Sequence, residues 1–397
     1  MFKKILAYIL VFSLLLASSF FSVNADESET EIKSDYFYKR LTSTEQIVYD
    51  AVLSSTGGIY CKVPGTVEIN FPRGEEIVSF TTKEALQEML TETVIAALTS
   101  LISDHPELYW LGNYGFNYVV KKNGLTYQIS SFSLFVFSDV SWEQTEKNYY
   151  EVLDAAKNIS VNGNTTYEKV RSIHDYLCKM ISYPSDLSNL TTETTVYGAL
   201  LPPYSAVCEG YAEAFKLLCT LNGIECITVF GESAPAKYIL GIIQIGQPSY
   251  HEWNYVKMDD GNWYGLDLTW DDQGSAGIFY DFFLSGSQTV AESFGGKSFI
   301  ESHNPIGKLY DNKFSLSYPT LNKTAYIPNI QESAVRGDVN SDGKISVVDA
   351  KLILQSVAGL KTLNSAQKSN ADVNGDSKIS VTDAKWVLQA IAGVKTF

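Results

Sequence analysis

The sequence predicts an α+β architecture followed by a separate, all-helical C-terminal module. Three observations predict it. Aromatic residues are abundant, with 20 Phe, 25 Tyr and 6 Trp among 397 residues that are 45% hydrophobic, which suits a packed core built partly of strands. Strand-like segments joined by Asn-Gly or Asp-Gly turns are interleaved with segments of helical period. The C-terminal end carries a repeat offset by 34 residues, from Asp338 to Asp372, each copy an oxygen-rich loop running into an amphipathic stretch. A chain of this length is expected to form two or three domains. Its formal net charge of -15 argues against a nucleic-acid binder, which would show a basic face.

Lys3 and Lys4 precede an apolar run from Ile5 to Leu16, and Val23-Asn24-Ala25 offers a small-residue cleavage site. Residues 1–25 are therefore expected to be a signal peptide, too short in its apolar part for a comfortable membrane span, so that the chain is secreted. A retained N-terminal anchor is the rival reading. No other long apolar run predicts a membrane domain. Five cysteines, Cys61, Cys178, Cys208, Cys219 and Cys226, are few for a disulfide scaffold. Their odd number leaves at least one thiol free.

Residues 26–145 read as an α+β region. Helices are expected at Thr44–Leu53 and Thr82–Leu101, and strands at Gly115–Lys122, Leu125–Phe132 and Leu134–Val140, with Asn123-Gly124 as a hairpin turn. No catalytic constellation falls here, and His105 is expected to be a turn or cap residue.

From about 146 a long helical stretch is expected to run through Tyr167–Met180. The segment Ser205-Ala206-Val207-Cys208-Glu209-Gly210-Tyr211-Ala212 then opens another helix, because Tyr211, Phe215 and Leu218 fall at helical spacing and Gly223 ends the run before the strand-like Ile227–Phe230. Cys208 thus lies in a first turn, where unpaired amides and the helix dipole favour a thiolate. Taken alone, a buried structural cysteine is the competing reading. Tyr250–Val256 reads as a strand and Asn262–Trp270 as its partner. A two-residue Asp260-Gly261 loop would put His251 and Asp267 on opposite faces. A three-residue Asp259-Asp260-Gly261 loop, with Gly261 in a left-handed bulge, makes them diagonal neighbours on one face. An imidazole that takes a proton and a carboxylate that orients it are what a nucleophilic cysteine needs.

Cys208-Glu209-Gly210-Tyr211-Ala212, His251-Glu252-Trp253-Asn254 and Asp267-Leu268-Thr269-Trp270-Asp271 resemble the transglutaminase-like superfamily, a papain-like fold with Cys, His and Asp in that order. The resemblance begins near His174, fades after about 305 and places a catalytic domain at 146–319. It implies Cys208 as nucleophile, His251 as general base and then acid, and Asp267 as the orienting carboxylate. The Cys208 amide is a candidate oxyanion donor and Tyr183 a candidate second one. His174 and His303 are expected to be structural. The reaction implied is thiolate attack on an amide of a protein or peptide through a thioester. Transfer to water makes a cysteine peptidase or amidase; transfer to a lysine amine makes a cross-linking transglutaminase. A non-catalytic peptide-binding module is the reading from another class.

Residues 320–336 show little periodicity and are expected to be a linker. In the repeat that follows, Asp338, Asn340, Asp342, Ser346 and Asp349 align with Asp372, Asn374, Asp376, Ser380 and Asp383 at loop positions 1, 3, 5, 9 and 12, and the carbonyls of Lys344 and Lys378 fall at position 7. Such a set of oxygens suits calcium, one ion per loop. Each loop runs into a helix, Ala350–Ala358 and Ala384–Ala392, closed by Gly359 and Gly393. Residues 337–397 resemble type I dockerins, with paired EF-hand-like loop–helix units. The resemblance implies a cohesin module of a scaffolding protein as partner and a place in a cellulosome. Ser377 stands at position 6 of the second loop, where glycine most easily turns left-handed.

Overall fold

The structure, a computed structural model, describes residues 35–55, 66–69, 80–137, 141–188, 190–233, 249–291, 295–307, 314–328, 336–340, 343–363 and 365–396. The expected signal peptide, Cys61 and Asp342 lie outside the described residues. Two compact units divide between Tyr326 and Ile327.

The first unit begins with α1 (Ser43–Ser55), β1 (Thr66–Ile69), α2 (Lys83–Asp104), β2 (Asn113–Asn123) and β3 (Thr126–Phe137). The three strands form an antiparallel sheet in the order β1-β3-β2, and Gly124 (φ 62) turns the expected hairpin. The two strands expected at Leu125–Phe132 and Leu134–Val140 are one strand. Ser133 between them pairs with Glu68 on one side and Asn117 on the other, so the ladder continues through a residue that the hydrophobic pattern reads as a break.

The long helical stretch expected from about 146 to Met180 is likewise two helices, α3 (Trp142–Asn158) and α4 (Thr166–Met180). A capping box between Thr165 and Glu168 starts α4 afresh, satisfying amide donors that a continuous helix would not expose. Next come α5 (Val196–Leu200) and α6 (Cys208–Leu221). Apolar on most sides, α6 keeps Tyr211, Ala214, Phe215, Leu217 and Leu218 fully buried, as befits a helix inside a core. It packs against α4, α5 and the strand that carries His251.

The second sheet has β4 (Cys226–Ser233), β5 (Ser249–Lys257), β6 (Trp263–Leu266) and β9 (His303–Pro305), in the antiparallel order β6-β5-β4-β9. Between β6 and β9 lie α7 (Leu268–Asp271), the short pair β7 (Val290–Ala291) and β8 (Lys297–Ser298), and α8 (Phe299–Ser302). The Met258 amide donates to the Asn262 carbonyl at 3.0 Å. The loop is therefore the three-residue Asp259-Asp260-Gly261, with Gly261 at φ 79, and the same-face register holds. The strand expected to reach Trp270 stops at Leu266, because Asp267 turns to cap α7.

Residues from 26–145 and from 146–319 share one buried apolar cluster, which includes Leu90 and Val94 of α2, Val152 of α3, Phe215 of α6 and Leu266 of β6. A second cluster takes alternate residues of the second sheet, Val229, Trp253 and Tyr255, with Phe282, Phe299 and Leu321. Residues 320–326, expected to begin a linker, belong to this unit: Leu321 is buried, and the amides of Asn322 and Tyr326 donate to the carbonyls of Trp263 and Leu284, each at 2.9 Å.

The second unit holds α9 (Val347–Val357), α10 (Ser365–Ala371) and α11 (Val381–Ile391) around Val339, Ile353, Leu363, Val373 and Val387. Capping boxes from Ser346 to Asp349 and from Ser380 to Asp383 start α9 and α11. Gly359 and Gly393, at φ 70 and 68, end them as expected. The sequence pattern does not announce α10, which is only seven residues long. Asn370 within it donates to the Asp338 carbonyl at 2.8 Å and so ties α10 to the first loop.

Candidate active site

Cys208 is the first residue of α6, and its thiol is half-buried. Gly210 in the same turn is needed for close approach: a Cβ there would sit 2.9 Å from the carbonyl oxygens of Glu193 and Thr195. On β5, His251 stands opposite Gly231 of β4. Asn254, fully buried, donates from β5 to the Ala212 carbonyl of α6 at 2.9 Å. That bond spans the helix and the strand that carry the thiol and the imidazole.

Asp267 does two jobs at once. Its Oδ1 accepts from the Trp270 amide at 3.2 Å and caps α7, while its Oδ2 lies 2.7 Å from His251 Nε2. With Nε2 so occupied, Nδ1 is the imidazole nitrogen left for the Cys208 thiol. The Trp270 ring stacks on His251 at 5.3 Å and 22°, fixing the plane of the imidazole.

Burial alone would make the His251 imidazolium harder to form. The charges of Asp267 and the Cys208 thiolate, with hydrogen bonds to both, outweigh that and push its pKa up to about 10. Burial acts the other way on Asp267, but the charge and hydrogen bond of His251 and the hydrogen bond of His303 hold its carboxyl far below the usual range. A protonated His251 ring against an ionised Asp267 is the state that such a charge pattern favours. Tyr183, about half exposed, faces the charges of Cys208 and Asp267, which together with burial raise its hydroxyl pKa and keep it a proton donor.

Sequence reasoning assigned His174 and His303 structural places. His174 is fully buried and contacts Asp271 Oδ2 at 3.3 Å, Asp175 Oδ1 at 3.0 Å and the Cys178 thiol at 3.8 Å. Such partners suit a buried imidazole that holds elements together. His303 stands differently: its Nε2 lies 3.0 Å from Asp267 Oδ2, the same oxygen that His251 uses. No spacing rule reaches it, since 35 residues lie between it and Asp267. The donor atoms of His251, Asp267 and His303 lie within 4.8 Å of one another, but hydrogen bonds between them already use those atoms.

In the C-terminal unit the loop residues are held by their own backbone. Asp338 Oδ2 accepts from the Gly343 amide at 2.8 Å, and Asp372 Oδ2 from the Ser377 amide at 2.8 Å. Asp349 accepts from the amides of Val339 and Ser346, each at 2.8 Å. Asp383 accepts from Asn374 at 3.4 Å and Ser380 at 2.9 Å. Asp349 and Asp383 are fully buried. Carboxylates turned into a curled loop fit a hard cation. Position 6 is Gly343 at φ 79 in one loop and Ser377 at φ 64 in the other.

Residues 154–268 match the family model of the transglutaminase-like superfamily, and residues 336–392 match that of the dockerin type I domain. The kyphoscoliosis peptidases of Homo sapiens and Mus musculus are 32% and 31% identical over 108 and 104 residues, which is 27% and 26% of this chain. The match spans only 16% and 15% of those relatives' own length. Among solved structures, a TGase covers 39% of this chain and 44% of its own at 15% identity and a TM-score of 0.24. A candidate cysteine protease from Cytophaga hutchinsonii covers 40% and 65% at 14% identity and a TM-score of 0.23. The chain therefore carries a transglutaminase-like domain at residues 154–268 and, after it, a type I dockerin domain at residues 336–392.

Proposed function

We propose that this chain is a secreted thiol hydrolase of amide bonds in protein or peptide, a cysteine peptidase or amidase held on a scaffolding protein by its dockerin. One observation carries the reading: Asp267 holds the ring of His251 while the half-buried Cys208 faces it from a helix N-terminus.

The Cys208 thiolate attacks the amide carbonyl. The oxygen takes up the negative charge, stabilised by the Cys208 amide and the Tyr183 hydroxyl. As the C–N bond breaks, the His251 imidazolium protonates the leaving amine, and a thioester remains on Cys208. His251, now neutral, takes a proton from water, whose oxygen attacks the thioester. Collapse releases the acid and returns the thiolate beside the imidazolium. Asp267 keeps one ring orientation throughout and stabilises the charged ring.

In the second unit Asp338, Asn340, Asp342, Ser346 and Asp349 with the Lys344 carbonyl would hold one calcium ion, and Asp372, Asn374, Asp376, Ser380 and Asp383 with the Lys378 carbonyl a second. Bound there, the ions would order the surface offered to a cohesin.

The test incubates a glutamine- and lysine-containing protein with the full chain and a small primary amine, beside Cys208→Ala, and reads the products by mass spectrometry. Backbone cleavage or deamidation that vanishes in the variant is the expected result. Amine incorporation or cross-linked peptides would make the chain a transglutaminase instead. Products identical to those of the variant would remove the catalytic reading.

A further inference from the structure

Cys208, His251 and Asp267 complete the usual set for thiol chemistry, yet the carboxylate has a second imidazole on it. His303 enters from β9, the edge strand of the sheet, which pairs with β4 through Ser233↔His303. Its Nε2 lies 3.0 Å from Asp267 Oδ2, while its Nδ1 lies 2.9 Å from the Ser302 hydroxyl. The ring is fully buried and lies flat on Phe299 at 4.3 Å and 6°. Trp270 and Trp253 close around it at 4.6 and 5.0 Å.

In that setting the ring is neutral, because burial disfavours its charged form and the His251 charge opposes it further. A neutral ring has one hydrogen to give. The ionised Asp267 carboxylate can only accept, which puts the hydrogen on Nε2, aimed at Oδ2, while Nδ1 faces the Ser302 hydroxyl, itself within 3.1 and 3.0 Å of the Ser298 and Phe299 carbonyls. Asp267 then accepts three hydrogen bonds: the Trp270 amide on Oδ1, and His251 and His303 on Oδ2. His303 also lies beyond the stretch 154–268 that matches the superfamily model.

We propose that His303 is a positioning residue of the site, which donates its Nε2 hydrogen to Asp267 and thereby holds that carboxylate ionised and turned towards His251. The inference rests on the reading of Cys208, His251 and Asp267 as a catalytic array. An aromatic plug would fill the same space without donating. Phenylalanine at 303 separates the two roles, because it keeps the flat ring between Phe299 and the tryptophans and removes the hydrogen.

Among the described residues, the charged and titratable groups facing Asp267 come from four elements and one loop segment. His251 comes from β5 with Cys208 of α6 behind it, Tyr183 from the segment after α4, His303 from β9, and Asp271 from its own α7, itself paired with His174 of α4. Of these, His251 and His303 stabilise the ionised form, while Asp271 opposes it. Removing the His303 hydrogen leaves the carboxylate held by the Trp270 amide and His251 alone and free to turn, which weakens its hold on the His251 ring beside Cys208. The acid limb of any property that needs the thiolate–imidazolium pair moves up.

The measurement is the rate at which iodoacetamide alkylates Cys208 in the full chain, followed peptide by peptide by mass spectrometry from acid to neutral pH. Wild type, His303→Phe and His303→Gln are compared, and thermal unfolding confirms that each is folded. In His303→Phe the acid limb is expected to shift upward by about one pH unit, which lowers the rate on that limb about tenfold. Glutamine, which offers an amide hydrogen at similar reach, is expected to restore most of it. An unshifted limb in a folded His303→Phe overturns the proposal, and so does a glutamine variant no better than the phenylalanine one. If wild-type Cys208 alkylates like an ordinary thiol, the catalytic reading fails first and takes this inference with it.

Discussion

Two Cys–His–Asp groupings sit at the two ends of one four-residue helix, α7. At its start Asp267 meets His251, which faces Cys208; at its end Asp271 meets His174, which touches Cys178. The residue types are the same, and the settings are opposite. Cys208 opens α6 and is half-buried, whereas Cys178 lies within α4 and is buried. Burial pushes the Cys178 thiol up, against the hydrogen bond of His174, and its thiol is directed to the Leu268 carbonyl at 3.7 Å. The second grouping binds α4 to α7, and the first leaves a half-buried thiol beside an imidazole. Composition of a cluster does not decide chemistry; the helix end and the access to solvent do.

The largest consequence concerns turnover. Cys208→Ala is expected to lower kcat/KM by at least about 10⁴-fold, while Cys178→Ala changes it by less than about threefold. Rates on a cleavable protein substrate check both. A comparable loss in the two variants would erase the distinction.

Stability separates the histidines in the reverse sense. His174 and Asp271 are both fully buried, and removing one partner of such a pair costs about 3–5 kcal/mol. His174→Ala is expected to lose that much in urea unfolding, yet to keep substantial turnover per folded molecule. His251→Ala should abolish turnover while the chain stays folded.

The pH dependence gives a subtler contrast. The pKa of His251 in the folded chain is raised from 6.5 to about 10. The stability this group contributes is therefore fully present below about pH 6.5 and is lost as the pH rises through 10. In urea unfolding, the advantage of wild type over His251→Gln should shrink across that window. At neutral pH, iodoacetamide should label Cys208 quickly and leave Cys178 unlabelled until the chain unfolds, because only the former pairs an accessible thiol with an imidazolium.

Much of this was legible in the sequence for a local reason. The Asp259-Asp260-Gly261 loop decides which face Asp267 shares with His251; Gly261 suits a two-residue turn equally well, and the bond from the Met258 amide to the Asn262 carbonyl makes the choice. The start of α6 at Cys208 follows from the spacing of Tyr211, Phe215 and Leu218. Missed features depended on distant partners. Ser133 looks like a break in a strand until Glu68 and Asn117 flank it. The packing of residues 320–326 rests on Trp263 and Leu284, far away in the chain. His303 reaches Asp267 only because β9 pairs with β4, a pairing that no local pattern encodes.

The C-terminal repeat offers the same contrast between residue type and setting, at the smallest scale. Its two loops match at positions 1, 3, 5, 9 and 12 and differ at position 6, where Gly343 has φ 79 and Ser377 φ 64. A side chain at positive φ costs about 1–2 kcal/mol, and glycine costs almost nothing there. If folding of the second loop depends on calcium, that strain is carried by the bound state, where the curl is required. Ser377→Gly is then expected to tighten the weaker of the two calcium sites by roughly fivefold in a titration followed by calorimetry, near the lower end of the strain once the greater freedom of the unbound glycine is set against it. Gly343→Ser should weaken the first site by a similar factor and bring the two loops close to parity. Equal affinities in wild type, unmoved by either substitution, would mean that Ser377 adopts its turn without cost and that backbone strain does not distinguish the loops.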